Sequence, residues 1–539
     1  MAPTFRSPGA GWRHHPVQSM AITHTIRARE DAATLKDWLH DGREIALLDV
    51  REHGQYGESH LFYAVNVPYS QLEFEAARLV PRKSTRIVVY DQGNGVADKA
   101  AQALRAAGYG QVAVLDGGVQ AWQAQGYALF AGVNLPSKTF GELAEHELHT
   151  PAISAEELNR RLARGDDLVV LDGRPYAEYQ KMSIPGATCC PNGELALRID
   201  ELVPDEKTTI VINCAGRTRS IIGAQTLINL GIRNPVYALE NGTQGWYLKD
   251  YRLDHGQTRR HGLAITPEQR ERARQRAQAL ARRHGIAAIT PEALRALQAE
   301  PDRSTYVFDV RTAEEYAQGT WPGAAHAPGG QLIQATDQYV GTRGARLVLV
   351  DGEGVRAPAV ASWLRQMGWE VHVLEAAALD APPTPAPGVP ATLPRITSGQ
   401  AAALLAEGRA FIDLRPSMAY RKEHIAGAQW RIRSQGEPLA HGAVLVADDA
   451  RVAELYARDH GGQAGARLLL ETPSQWRAAG LPLQATPALP PDEACIDFLF
   501  FVHDRHSGNK AAAIKYLEWE TNLVNQIDER ERASYRFTP

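Results

Sequence analysis

Cysteine is scarce in this chain: four thiols stand among 539 residues. Cys189, Cys190, Cys214 and Cys495 are too few and too irregularly spaced for a disulfide framework, and they form no paired Cys-x-x-Cys array of the kind that binds zinc. This cysteine usage fits a reducing compartment best. We therefore expect a cytoplasmic protein with no metal site.

Long apolar runs are missing as well. No segment approaches the roughly 20 apolar residues that a membrane-spanning helix needs, and residues 1–30 contain no continuous apolar stretch typical of a secretory signal. Neither sign of charge is in large excess, since the formal net charge is -4. These absences argue against a membrane or a nucleic acid as the main partner.

What the sequence does contain is an internal repeat. A short apolar run ending in Asp-x-Arg occurs as LLDVR, VLDGR, VFDVR and FIDLR, at residues 47–51, 170–174, 307–311 and 411–415. Each run is followed by a Tyr, a small-residue turn and a second apolar strand, and further helical and strand patterns come after it. Strands that alternate with helices predict an α/β fold with a mainly parallel sheet covered on both faces.

The repeat divides the chain into four units and an extension. The units span residues 24–134, 150–259, 285–382 and 394–487, and residues 488–539 form a C-terminal α/β extension. Residues 264–284 predict a charged helix capped by Thr266, with a solvated face. In the extension, FLFFV predicts a strand, and the residues after it predict a loop and a long amphipathic helix.

Cys214 ends the second apolar strand of the second unit, and the loop CAGRTRS begins with it. A thiolate is the nucleophile of cysteine chemistry, so this loop has to favour the anion. Converging backbone amides, a turn at Gly216, the N-terminus of a following helix and two arginine charges would do so. We predict that Cys214 is the catalytic nucleophile. The predicted substrate-binding residues are the rest of the loop: Ala215, Gly216, Arg217, Thr218, Arg219 and Ser220.

These features together resemble the rhodanese family: Asp-x-Arg after the first strand, the IPGA turn at residues 184–187, a strand ending in Cys, and a CxxxxR loop before a helix. The resemblance implies four tandem rhodanese-like domains, each with a mainly parallel central sheet flanked by helices. It also implies a sulfurtransferase that works in a ping-pong cycle through a Cys214 persulfide and needs no cofactor. The donor would be a small anion such as thiosulfate, and the acceptor a thiophile such as cyanide, a thiol or a sulfur-accepting protein. The oligomeric state is left open.

The other three units lack the cysteine. Asp91, Asp351 and Asp448 are assigned to its position, and the loops after them lack the paired arginines. We expect these units to be catalytically silent copies that pack around or regulate the second. A non-catalytic repeat scaffold, or a redox or persulfide sensor, is the alternative for the whole chain. A cysteine-dependent phosphatase is disfavoured, because Ser220 stands where the CxxxxxR loop of that family has its arginine.

Several other residues are candidates for lesser roles. The Asp-x-Arg pairs also occur in units without cysteine, so they are predicted to be ion pairs that fix the strand ends. Cys189 and Cys190 are predicted to pack in the core, with a role in resolving the persulfide as the alternative. Glu194, Arg198 and Asn241 are candidate pocket-lining residues.

The extension carries the motif HDRH at residues 503–506. It raises the idea of a metal or acid–base site, but no second ligand group stands at an interpretable spacing. A more specific hypothesis is that the extension packs across the repeats and brings His503 or Arg505 to the mouth of the Cys214 site.

Overall fold

Four five-stranded parallel sheets follow one another along the chain. The computed structural model describes residues 28–262, 264–375, 378–461, 465–505 and 508–538. In every sheet the first strand lies at one edge beside the last, and the other strands follow in the same spatial order. This is the α/β architecture with parallel sheets that the repeat predicts. Residues 24–27, which were assigned to the first unit, lie outside the described ranges.

The first unit is built on central strands that are buried along their whole length, because helices cover both faces of the sheet. Its strands are β1 (Arg29–Glu30), β2 (Ala46–Asp49), β3 (Val65–Asn66), β4 (Ile87–Tyr90) and β5 (Val112–Leu115). Its helices are α1 (Ala32–Trp38), α2 (His53–Glu58), α3 (Leu72–Leu79), α4 (Val96–Ala106) and α5 (Gly118–Ala124). Helix α6 (Leu135–Leu148) then leads to the second unit.

The second unit carries the candidate cysteine and repeats this plan. Its strands are β6 (Ala152–Ile153), β7 (Leu168–Asp172), β8 (Thr188–Cys189), β9 (Thr209–Asn213) and β10 (Val236–Leu239). Its helices are α7 (Ala155–Arg164), α8 (Tyr176–Lys181), α9 (Asn192–Leu202), α10 (Thr218–Asn229) and α11 (Gly242–Leu248). Helix α12 (Pro267–Arg283) follows, and a capping box between Thr266 and Gln269 begins it as predicted. Arg272, Arg282 and Arg283 lie on its exposed face as predicted, while Ala273, Ala277 and Leu280 are buried.

The third unit faces the second. Its strands are β11 (Ala287–Ile289), β12 (Thr305–Asp309), β13 (Ala325–His326), β14 (Arg346–Val350) and β15 (Glu370–Leu374). Its helices are α13 (Pro291–Ala299), α14 (Ala313–Gln318), α15 (Gly329–Gln334) and α16 (Arg356–Gln366). Helix α15 approaches α9 so closely that a Cβ on Gly330 would lie 3.0 Å from the amide nitrogen of Gly193. This close approach brings the end of α15 towards the cysteine loop.

The fourth unit is the most divergent. Its sheet contains β16 (Arg395–Ile396), β17 (Phe411–Asp413), β19 (Gln429–Trp430), β20 (Val444–Val446) and β21 (Arg467–Leu469), while β18 (His424–Ile425) and β22 (Leu483–Gln484) form a separate antiparallel pair. Its helices are α17 (Ser398–Ala406), α18 (Ser417–Lys422), α19 (Ala450–Asp459) and α20 (Pro473–Ala478).

The strand register corrects one assignment in this fourth unit. Asp172 pairs with Asn213, the residue before Cys214, and Asp413 pairs in the same way with Val446. Ala447, not Asp448, therefore stands at the position of Cys214. The shorter spacing between the two strands of this unit hid the offset in the sequence.

The C-terminal extension is helical, and the prediction of an α/β extension was wrong. It contains α21 (Lys510–Asn522) and α22 (Glu529–Arg532), and the described part of residues 488–538 has no strand. The FLFFV segment forms turns instead, with the amide of Phe498 bonded to the carbonyl of Cys495 and that of His503 to Phe500. An apolar run buries its side chains equally well in a packed loop, so its composition alone cannot distinguish the two.

The extension also packs across the repeats, as the sequence predicted. Lys36 of the first unit pairs with Glu531 at 2.7 Å, and the amide of Arg536 bonds to the carbonyl of Gln366 in the third unit. Leu523 and Tyr535 lie in one apolar cluster with residues of the first unit, α6 and the third unit. No helix in the described part of the chain is long and apolar enough to cross a membrane.

The four Asp-x-Arg pairs are buried ion pairs at the strand ends, which confirms the structural interpretation. In the second unit, Arg174 donates to both carboxylate oxygens of Asp172 and to the carbonyl of Met182. Arg51, Arg311 and Arg415 make the equivalent bonds in the other units. Since the arrangement is the same with or without a nearby cysteine, it fixes the loop after the first long strand rather than taking part in chemistry.

Candidate active site

Cys214 lies at the carboxyl end of β9, between that strand and α10. Ligands of open α/β sheets bind at this edge. The side chain is only 2% exposed, and the hydroxyl of Ser220 donates a hydrogen bond of 3.1 Å to its sulfur. The carbonyl of Cys214 accepts from the amide of Thr243 at 2.8 Å, so the start of α11 fixes the backbone of the loop.

The loop after Cys214 offers backbone donors to an anion. Within the described part of the chain, none of the amides of residues 215–219 has an acceptor. Helix α10 begins at Thr218, so its N-terminal partial charge adds to these amides. The sequence predicts an anion-binding nest here, and these amides are the groups that would form it.

Gly216 is needed for a different reason from the one expected. Its backbone is not in the left-handed region that favours glycine. A side chain would instead crowd the extension, because a Cβ on Gly216 would lie 3.1 Å from Oε2 of Glu520 and 3.2 Å from Tyr516. The glycine therefore makes room for α21 above the loop.

A cavity of about 310 Å³ opens over Cys214, and four parts of the chain enclose it. The second unit contributes Glu178, Gln244 and the loop from Cys214 to Arg219; residues before and within α6 contribute Gly132, Val133, Asn134 and Lys138; the third unit contributes Gln331, Gln334, Ala335 and Gln338; the extension contributes Leu499, Phe501, Val502, Arg505, Tyr516, Trp519 and Glu520. Sulfur chemistry here would thus take place in a pocket that the second unit cannot form alone.

The two loop arginines do not present free charges, which corrects the sequence interpretation. Arg219 forms a two-pronged ion pair with Glu178, with both N–O distances at 2.9 Å. Arg217 pairs with Glu142 at 2.8 Å and also contacts Glu145. Burial raises the pKa of Glu142 to about 7, although Arg217 acts in the opposite direction. The charge around Arg217 therefore changes near neutral pH.

A buried polar cluster that no sequence motif indicates closes one side of the cavity. The ammonium of Lys138 contacts the hydroxyl of Tyr516 and lies 3.2 Å from Glu520, and Thr218 donates to Glu520 at 2.9 Å. Burial lowers the pKa of Lys138, but Glu520 and Tyr516 outweigh it and the net shift is upward. For Glu520, Lys138 outweighs burial and the pKa falls below its usual value. Both groups therefore stay charged.

The predicted binding residues fall into two groups. Residues 215–219 line the cavity, whereas Ser220 is fully buried behind it and reaches only the sulfur of Cys214. Of the two tail candidates, Arg505 lines the cavity, while His503 is exposed and does not. His506 lies outside the described residues. Among the residues that the structure describes, no group of three or more His, Cys, Asp or Glu side chains is placed to hold a metal ion.

The other pocket candidates lie elsewhere. Glu194 pairs with Arg356 of the third unit at 3.0 Å, and Arg198 lies beside Glu194 in the same interface. Asn241 accepts a bond of 3.3 Å from Arg217 without lining the cavity.

Cys189 and Cys190 are core residues away from this cavity. Both are buried, and neither lines it. Burial raises the pKa of Cys189 to about 12 and that of Cys190 well above its usual value. These positions favour packing over resolution of a persulfide.

Comparison with known proteins includes a match over nearly the whole chain. The family model described as "Rhodanese-like domain" matches residues 31–125, 154–249 and 290–377. A crystal structure of a thiosulfate sulfurtransferase from Pseudomonas aeruginosa is 43% identical with a TM-score of 0.88, and the match covers 95% of this chain and 99% of that one. The fourth unit lies outside the matched ranges of the family model, although its sheet has the same strand order.

Matches to curated proteins are shorter. An HTH-type transcriptional regulator of Mycobacterium tuberculosis is 35% identical over 111 residues, which are 21% of this chain and 48% of that protein. From the same organism, "Probable adenylyltransferase/sulfurtransferase MoeZ" is 33% identical over 102 residues, or 19% of this chain and 25% of that protein. The chain thus spans about half the length, or less, of the curated relatives it matches.

Proposed function

The chain belongs to the rhodanese-like family, and we propose that it transfers sulfane sulfur from thiosulfate or a related anionic donor to a thiophilic acceptor through a persulfide on Cys214. The second unit, residues 150–259, is the catalytic one in this proposal. The units at 24–134, 285–382 and 394–487 are silent in catalysis and complete the structure around it.

The cycle conserves atoms and electrons without a cofactor. The Cys214 thiolate attacks the outer sulfur of thiosulfate, a sulfur–sulfur bond forms on the cysteine, and the bond within thiosulfate breaks as sulfite leaves with its electron pair. An acceptor such as cyanide or a thiolate then attacks the outer sulfur of the persulfide. That step returns the electron pair to Cys214 and regenerates the thiolate.

One observation carries this proposal: a buried cysteine stands before a run of backbone amides that have no acceptor within the described residues, and both face one cavity. A persulfide anion would extend from the sulfur of Cys214 into that cavity, where these amides can stabilise it. The name of the Pseudomonas relative supports thiosulfate as the donor.

The test is direct detection of the intermediate. The full chain is incubated with thiosulfate and examined by intact-mass and peptide mass spectrometry, and thiocyanate is measured after cyanide is added. We expect one added sulfur atom on Cys214 and turnover to thiocyanate. If wild type and Cys214→Ser are equally inactive and neither carries the added sulfur, the chain is a non-catalytic scaffold or sensor and the proposal is wrong.

A further inference from the structure

We propose that Arg505 of the C-terminal extension binds the negatively charged end of the sulfur donor and makes the Cys214 pocket selective for anions. This inference rests on the proposed function for the identity of the donor. The binding role itself can be measured without turnover. It would give the extension a part in substrate recognition that no rhodanese-like unit of the chain supplies.

Arg505 is held at the cavity by few contacts of its own. Its guanidinium lies over the ring of Tyr516, with 4.4 Å from Cζ to the ring centre, and one Nη donates to the carbonyl of Val502 at 3.3 Å. Its Nε is buried without a hydrogen-bond partner among the described residues. A buried donor without an acceptor is costly, so a ligand that accepts from this side chain would relieve that cost.

The charges of the other cations in the cavity are already balanced. Lys138 pairs with Glu520, Arg217 with Glu142 and Glu145, and Arg219 with Glu178. Among the described residues that line the cavity, Arg505 is the cation for which no carboxylate lies within ion-pair distance. The unpaired positive charge that can bind an incoming dianion therefore lies on the extension, at Arg505, and not on the cysteine loop.

The backbone that carries Arg505 is strained. Val502 and Asp504 have φ angles of 50° and 57°, in the left-handed region that side chains disfavour, and Val502 is also β-branched. Such conformations persist where the surrounding structure enforces them, and they concentrate at binding sites. Here the two residues turn the chain so that Arg505 enters the cavity, while the neighbouring His503 stays exposed.

Amide side chains that the third unit contributes to the cavity suit the same ligand. Gln331 and Gln334 of α15 line the cavity with Gln338, and each can donate to an oxygen atom. A sulfonate group has three such oxygens. In the resulting arrangement the sulfonate end of thiosulfate would meet Arg505 and these amides, and its outer sulfur would point to Cys214. A donor without a negative group would gain nothing from Arg505.

The experiment compares two alkylating reagents that differ in charge. Cys214 in the full chain is modified with iodoacetate, an anion, or with neutral iodoacetamide, and each rate is followed by peptide mass spectrometry. We expect Arg505→Met to lower the ratio of the iodoacetate rate to the iodoacetamide rate about tenfold, the size of one lost charge-assisted contact. Arg505→Lys should recover most of the ratio.

Lys515→Met is the matched control, because Lys515 is an exposed cation of the same extension and lies 5.2 Å from the ring centre of Phe501. It should leave the ratio unchanged. If Arg505→Met and Arg505→Gln change both rates equally, Arg505 only supports the structure and the inference is wrong. If both variants leave the two rates at their wild-type values, the inference is wrong as well.

Thiosulfate kinetics separate this inference from the proposed function. In Arg505→Met we expect the KM for thiosulfate to rise about tenfold, while kcat stays within about twofold. If wild type forms no persulfide, the proposed function fails, and the alkylation ratio still decides the role of Arg505. If wild type turns over and Arg505→Met changes neither KM nor the ratio, only the Arg505 inference fails.

Discussion

The second and third units use the same loop in opposite ways. In the third unit, Asp351 stands at the position of Cys214, and its carboxylate accepts from four backbone amides at 2.6 to 2.9 Å: those of Glu353, Gly354, Val355 and Ala357. By the shared register, the corresponding residues of the second unit are Gly216, Arg217, Thr218 and Ser220. The third unit thus fills its own anion site with a side chain. In the second, the amides of Gly216, Arg217 and Thr218 have no acceptor among the described residues, and that of Ser220 bonds to the carbonyl of Arg217.

The first unit shows the same solution, since Asp91 accepts from the amides of Gly93 and Ala97 at 2.8 and 2.9 Å. The loop is therefore a receptor for negative charge that the backbone builds. In the second unit, where Cys214 stands at the first position of the loop, we expect the loop to receive the substrate anion instead.

The largest expected effect comes from removing the thiol that distinguishes the second unit. Cys214→Ser and Cys214→Asp should each lower thiocyanate formation by at least about a thousandfold, because neither side chain can hold a sulfane sulfur. Cys214→Asp should also raise the thermal midpoint, since its carboxylate would bind the open amides as Asp351 does. Cys495→Ser is the control with unchanged activity. Activity above a tenth of wild type in Cys214→Ser would show that the catalytic residue lies elsewhere.

Removing the carboxylate of Asp351 should destabilise the third unit. Asp351→Ala leaves four amides without an acceptor, two of them buried and two half-buried, and we expect the local free energy of unfolding to fall by about 3 kcal/mol. Hydrogen exchange of the amides in β14 and α16 measures that loss. Asp351→Asn, which keeps an acceptor oxygen, should lose less. Equal protection in wild type and Asp351→Ala would mean that the carboxylate does not stabilise the loop.

A smaller effect is expected where the extension meets the loop of the second unit. Gly216→Ala places a methyl group 3.1 Å from Glu520 and 3.2 Å from Tyr516, so α21 has to shift by a few tenths of an ångström. We expect a loss of about 1 kcal/mol in stability and a measurable rise in the KM for thiosulfate. Gly93→Ala is no matched control, because Gly93 has a left-handed φ of 81°. Glu353→Ala, at the equivalent place in the third unit, should leave KM unchanged.

The smallest effect concerns pH. Glu142, with a pKa raised to about 7, is neutral below that value and negative above it, so the charge of Arg217 is less compensated in acid. The Glu145 and Glu520 carboxylates also face Arg217. We expect the KM for thiosulfate to rise about threefold between pH 6 and pH 8, and this rise to disappear in Glu142→Gln. A wild-type KM that stays flat or falls over this interval would contradict the assignment.

Most of the fold could be predicted from the repeat. The same order of strands and helices occurs in each unit, so the copies can be aligned with one another and confirm which residues form each strand. The second unit also stands out in the sequence as the one with Cys214 and a basic loop. Ala447 was missed because the fourth unit is shorter between its two long strands, so counting from the motif placed the equivalent residue one position too late.

The electrostatics of the site could not be predicted in the same way. Arg217 and Arg219 look like free charges in the sequence, because their partners lie far from them: Glu142 stands 75 residues away on α6, and Glu178 stands 41 residues away on α8. Lys138 and Glu520 are 382 residues apart and became visible as a pair only when α6 and α21 met. No local pattern carries that information.

The distance along the chain between the cavity walls sets the order in which the pocket can be assembled during synthesis. The ribosome completes the cysteine loop long before it reaches Arg505 and Glu520, which follow the third and fourth units. Until then Lys138 has no counter-charge from the extension, and the nest above Cys214 is uncovered. In a nascent chain, the Cys214 thiol would therefore lie in an uncovered loop until the extension is synthesised. The pocket can be completed only after all four units have been made.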